Sequence, residues 1–133
     1  MAAPGRALDA YYINQYNPPE MADAALKPHW FYILLALADG DRHGLAIARD
    51  VQRLSDGRVR LWPATLYGSL EDLRDRGLIV EVAEPRDRQA DDSERKRYYR
   101  LSRSGRGALA TEGERMGRLA RLARARARTG ETG

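Results

Sequence analysis

A stripe of leucines closed by a glycine limits what this chain can fold into more than any other feature. Within residues 61–80, LWPATLYGSLEDLRDRGLIV, Leu66, Leu70 and Leu73 recur at helical spacing, and Gly77 ends the series where a helix would hand over. Pro63 stands where a first helical residue should, because its missing N–H costs nothing there and its fixed φ suits a helix start. A helix beginning near Pro63 with its leucines inward is the expectation. Its outer face is small and neutral: Ala64 and Gly68, flanked by Thr65 and Ser69 on one side and by Tyr67 on the other. Such a face lets backbone come close to another large body, and Thr, Ser and Tyr hydroxyls can bond phosphates or base edges. The second half carries Glu71, Asp72 and Asp75, which repel phosphate, so only the N-terminal end can point into a DNA groove. Taken alone, an ordinary amphipathic core helix with a solvated back explains the same residues, and the neighbouring segments have to decide.

At 133 residues the chain suits one compact domain with an extra helix or tail. With no cysteine there is neither a disulfide framework nor a thiolate for zinc or catalysis, which fits a reducing cytoplasm. The longest apolar run, residues 30–38, is far short of the roughly 20 residues needed to span a bilayer, and nothing at the N-terminus resembles a secretion signal. A soluble cytoplasmic protein with no membrane partner is expected. The net charge of +4 is unevenly placed: residues 29–102 carry thirteen basic and thirteen acidic side chains, whereas residues 103–133 carry eight against three. A central region that binds DNA must therefore do so through local arrangement of charge rather than general attraction.

Residues 1–28 form an N-terminal extension interrupted by prolines. A short helix fits residues 6–16, and Tyr11, Tyr12, Ile13 and Tyr16 are too apolar for a solvated tail, so the segment should lie on the domain or on a partner subunit. Trp30, Ile33, Leu34 and Leu37 predict a first helix over 29–38, ended by Asp39-Gly40-Asp41. His43-Gly44 opens a second over 43–54, in which Ile47, Ala48, Val51 and Leu54 share a face. His43 could meet a phosphate from a helix N-terminus, though an exposed histidine near a turn is commoner. His29 and His43 lie too far apart in sequence for metal-ligand spacing, and no metal or cofactor is expected.

Residues 58–61 alternate polar and apolar and predict one short strand. A β-branched run follows Gly77 and predicts a strand over 78–84, and residues 95–101, RKRYYRL, predict its hairpin partner with Tyr99 and Leu101 inward and one tyrosine left outside. The hairpin is a candidate DNA-binding wing, served by Arg88, Lys96 and Arg97 among its cations, although its tip is acidic on balance. Ser102 is a good N-cap for a long helix over 103–128, with 129–133 left as a tail. Leu109, Met116 and Ala123 fall seven apart, with Leu119 between and Leu122 alongside, which makes a short coiled-coil-like seam for another subunit.

Helix, helix, short strand, helix and hairpin is the order of a winged helix-turn-helix, mainly α with a small β-hairpin wing. Residues 29–102 make the DNA-binding domain, and the long C-terminal helix is what a dimeric regulator adds. Residues 33–54 (ILLALADGDRHGLAIARDVQRL), 65–80 (TLYGSLEDLRDRGLIV) and 97–107 (RYYRLSRSGRG) closely resemble the PadR family of transcriptional regulators. The resemblance implies a homodimeric repressor whose third helix enters successive major grooves of double-stranded DNA while the wing meets the flanking backbone. Carried over by position, Thr65 and Tyr67 would lie at the DNA, with Pro63, Ala64 and Gly68 setting the approach and Lys96 and Arg97 serving the wing. Trp62 departs from the pattern: a small or polar residue would cap the helix better, and the indole would pack under the wing or touch sugar. Some relatives stack flat aromatic compounds at the dimer interface. The final helix here has no aromatic residue, which leaves Trp30, Phe31, Tyr11 and Tyr12 for an aromatic effector.

Two other classes compete. A winged-helix protein-interaction module without DNA binding would fit the acidic loop. An enzyme is poorly supported, since there is no Gly-rich phosphate loop, no paired carboxylate motif and no histidine in a catalytic spacing.

Overall fold

In a computed structural model, which describes residues 26–85 and 96–132, the first helix, α1 (Pro28–Leu37), starts on a proline and turns Trp30, Ile33, Leu34, Ala36 and Leu37 inward. Its C-terminal carbonyls are met from the next segment. Arg42 donates from Nε to the Ala36 carbonyl at 2.8 Å and pairs with Asp50 at 3.3 Å, so one guanidinium ties the end of α1 to the following helix.

A two-residue strand, β1 (Arg42–His43), leads directly into α2 (Gly44–Leu54), where the His43 ring accepts the Ala46 N–H on Nδ1 at 3.2 Å and caps the helix. Asp56 and Gly57 close α2 in left-handed conformations, φ 56° and 80°, with the Gly57 N–H on the Gln52 carbonyl at 2.7 Å. Helix α3 (Pro63–Asp75) begins on Pro63 and ends in the same kind of turn. The Leu78 N–H reaches the Leu73 carbonyl at 3.0 Å and the Gly77 N–H that of Arg74 at 2.9 Å, with Gly77 at φ 76°. Strands β2 (Ile79–Val82) and β3 (Tyr98–Leu101) pair antiparallel, Ile79 opposite Leu101 and Val82 opposite Tyr98. Helix α4 (Arg103–Thr132) runs from the end of β3 and continues past residue 128, where the sequence reading ends it.

The core sits where the three short helices meet the inner face of the sheet. Ile33, Leu34, Leu37, Ile47, Val51, Leu66, Leu70, Leu73 and Ile79 are fully buried, each contributing about 1.5–3 kcal/mol relative to exposure.

Two strand expectations change. Residues 58–61 are unpaired: the Ser55 hydroxyl takes the Val59 N–H at 2.9 Å, and Leu61 turns into the core. The third strand is β1, which occupies the second edge of β3 with Arg42 opposite Tyr99 and His43 opposite Tyr98, giving the order β1-β3-β2. That pairing also buries the tyrosine expected outside. Tyr98 is covered by the edge of the His43 ring, centroids 5.5 Å apart, while Tyr99 and Leu101 face inward as read.

The junction before α4 is tight. The Ser102 hydroxyl donates to the Gly77 carbonyl at 2.6 Å and accepts the Gly105 N–H at 3.0 Å, and the Ser102 N–H donates to the Leu78 carbonyl at 3.1 Å. A Cβ on Gly105 would overlap the Leu78 carbonyl and stand 2.7 Å from Leu101 Cδ1. Only glycine lets α4 lie this close to the start of β2.

Candidate nucleic-acid interface

The leading end of α3 is bare. Trp62 occupies the N-cap without forming a side-chain cap, Pro63 is the first helical residue, and Ala64, Thr65 and Gly68 are exposed. A helix opened in this way leaves its first amides without intrahelical partners, pointing out of the N-terminus with the positive end of the dipole. No described residue lies within 4 Å of the place a Cβ on Gly68 would take, so among the described residues the outer face of α3 is open.

Tyr67 is half-exposed and lies across the start of α2. A Cβ on Gly44 would come within 2.8 Å of its hydroxyl oxygen and 3.0 Å of Cε1. His43 and Gly44 thus divide the work: the first caps α2, the second makes room for the Tyr67 ring. Two motifs that are far apart in sequence meet here, and the third joins them from the residues just before β3. His43, Gly44, Leu45, Tyr67, Lys96 and Arg97 line a cleft of about 440 Å³, and a smaller hollow of about 170 Å³ continues past Tyr67 to Arg74, Arg97 and Tyr99. Lys96 and Arg97 are exposed at its edge.

Charges at the base of the wing are partly balanced. Glu81 pairs with Arg74 at 3.3 Å and stands 3.9 Å from Arg97, whose side chain stays largely exposed, and the Glu84 carboxylate accepts the Lys96 backbone N–H at 3.2 Å. On the far side Arg100 grips Asp41 through two bonds of 3.0 and 2.9 Å, which hold the Asp41 carboxyl below its usual range. Burial, with Glu81 nearby, pushes the Tyr99 phenol up, so that ring stays neutral.

Several sequence-derived positions lie elsewhere. Ser69 is not on the outer face. It is buried at the edge of the leucine stripe, where His29 on α1 covers it with Nε2 3.1 Å from the hydroxyl, and burial followed by Lys27 pushes the His29 pKa down. Trp30 is no platform for an effector on this chain's surface: it is 3% exposed, with Lys27 Nζ and the Arg76 guanidinium each 5.0 Å from its ring. Phe31 is half-buried, edge-on to Tyr32. Arg88, Tyr11 and Tyr12 fall outside the described residues. Along α4, Leu109 packs partly on the core and Met116 is half-buried, whereas Leu119, Leu122 and Ala123 are exposed.

Sequence reasoning missed two features of this surface. Gly44 read as a helix opener, because its packing against Tyr67 has no local signature. Trp62 does not pack under the wing; it is 62% exposed with the Arg60 guanidinium 5.3 Å from its ring. Among the described residues no group of His, Asp and Glu could hold a metal ion, and no helix is long and apolar enough to cross a membrane.

The chain is 36% identical over 87 residues to an uncharacterised 37.1 kDa protein of a Streptomyces fradiae transposon, spanning 65% of itself but 22% of that protein. Its fold is similar to that of a PadR family transcription regulator from Clostridium difficile, TM-score 0.62 at 19% identity, covering 74% of this chain and 97% of that one. A transcriptional regulator from Clostridium thermocellum matches with TM-score 0.59 at 21% identity, covering 72% and 89%. A PadR-like transcription factor from Bacteroides fragilis gives 0.57 at 20%, covering 72% and 86%. The model of the PadR-like family of transcriptional regulators matches residues 33–111, the span from α1 through the wing into α4. With that span holding the bare helix tip, the wing and their shared cleft, the chain belongs to the PadR-like family of DNA-binding transcriptional regulators, a family of regulators and not of enzymes.

Proposed function

We propose that the protein is a homodimeric repressor that reads a pseudo-palindromic operator. Two copies pair along the second half of α4, where Leu119 and Leu122 are 49% and 44% exposed, and set their α3 tips in successive major grooves about 34 Å apart. The observation that carries the reading is the juxtaposition at α3: an uncapped, small-residue helix start beside Tyr67, with Lys96 and Arg97 on the adjoining edge. Thr65 and Tyr67 would bond base edges or phosphates, Pro63, Ala64 and Gly68 would permit close approach, and Lys96 and Arg97 would meet backbone phosphates. His43 caps α2 and lines the same cleft, where its ring would meet a phosphate.

Binding to a duplex selected from a random pool, followed across a salt series, tests the reading. Tyr67→Ala is expected to weaken specific binding by about 1–3 kcal/mol, whereas Lys96→Ala weakens all sequences alike and lowers the salt slope by about one. Tyr67→Phe keeps the packing on Gly44 and isolates the hydroxyl. Unchanged operator affinity in all three variants would remove α3 from the groove. Absence of salt-dependent binding to any inverted repeat would favour a protein-interaction module built on the same fold.

A further inference from the structure

We propose that Trp62 and Arg60 form a second DNA contact at the leading end of α3, in which the indole packs on deoxyribose at the groove edge and the guanidinium meets the adjoining phosphate. This rests on α3 entering the groove. The chain has two tryptophans with opposite surroundings: Trp30 is 3% exposed in the core and Trp62 is 62% exposed. Trp62 makes no cap hydrogen bond for α3, and its ring is met by Arg60. The indole thus serves neither the helix start nor the core. An apolar surface of this size left in water is stabilised by whatever covers it.

Charge chooses the cover. Between Asp56 and Glu71 the only charged side chains are Arg58 and Arg60, and Arg60 is the one that stands at the indole, so the charge beside Trp62 is positive and suits a polyanion, while the acidic residues of α3 lie in its other half. A duplex backbone offers both required chemistries side by side: sugar C–H surface for an indole and a phosphate for a guanidinium. Because backbone is the same at every base pair, the pair adds affinity and fixes the depth of α3 without choosing sequence.

Tryptophan fluorescence of the full chain, bound to a duplex selected from a random pool, reads the contact directly. Acrylamide should quench Trp62 in the unbound protein, and saturation with the duplex should reduce quenching to that of Trp62→Phe, which keeps only Trp30. Trp62→Ala should lose about five- to tenfold in affinity for every duplex, and Arg60→Gln should lower the salt slope by about one. A saturated complex in which Trp62 stays as quenchable as before overturns the inference and leaves the α3 reading standing. A loss confined to one operator sequence also overturns it, since that marks a base contact. Should the wild-type chain bind no duplex, both readings fall. The quenching measurement on the wild type needs no variant to fold.

Discussion

The two halves of one continuous helix, α4, have opposite surroundings. In the first half Gly105 is buried beneath the Leu78 carbonyl, Ala108 and Leu109 pack on the core, and Glu112 is buried with its carboxylate clamped by Arg115. From residue 118 to 130 every side chain is exposed, Leu119 and Leu122 included. Glycine shows the difference most plainly. At Gly105 it permits contact between two backbones, whereas at Gly113 no described residue lies within 4 Å of where a Cβ would stand and it loosens the helix. Among the described residues, one half belongs to the winged-helix body and the other stands clear of it.

The packed half of α4 is most sensitive at Gly105. Gly105→Ala should destabilise the fold by about 3 kcal/mol or more, because the clash is with a carbonyl of the backbone and cannot be relieved by a rotamer; denaturant unfolding measures it, and a loss below about 1 kcal/mol would mean the junction is slack. Leu119→Asp should leave single-chain stability within about 0.5 kcal/mol while shifting the proposed dimer to monomer. An unchanged sedimentation profile would take this half of α4 out of the pairing surface. Gly113→Ala should stabilise by about 0.5–1 kcal/mol, visible as a higher denaturant midpoint.

The smallest effect concerns pH. Arg115 holds the Glu112 carboxyl below its ordinary value of 4.5, so the pair stabilises the fold above that pH and the contribution is lost as pH falls through the lowered value. Wild type should therefore lose more stability than Glu112→Gln on acidification. Equal slopes would show the clamp to be energetically idle.

Much of this was legible in the sequence because it is local. Pro63, Gly77 and Ser102 mark element ends through backbone chemistry that needs no knowledge of the rest of the chain, and the leucine stripe of α3 is a simple period. What could not be read depends on partners brought from afar. Strand β1 has two residues and no alternation of its own; it exists because β3 had an unfilled edge. Residues 58–61 did alternate, yet among the described residues no strand lies beside them. Ser69 borders the stripe and went inward because His29 lay over it. Of the candidate interface, the exposure of the α3 tip was legible, whereas the seat that Gly44 makes for Tyr67 is a distance, and distances between segments leave no trace in spacing.

The Ser102 hydroxyl, bonded on one side to the last turn after α3 and on the other to the first amide turn of α4, joins the two helices through a single oxygen atom. Gly105 lies against the Leu78 carbonyl just before β2 and closes the same junction. The turn that ends α3 and the turn that begins α4 therefore share one anchor, and a side chain without a hydroxyl at residue 102 would leave both the Gly77 carbonyl and the Gly105 amide without it.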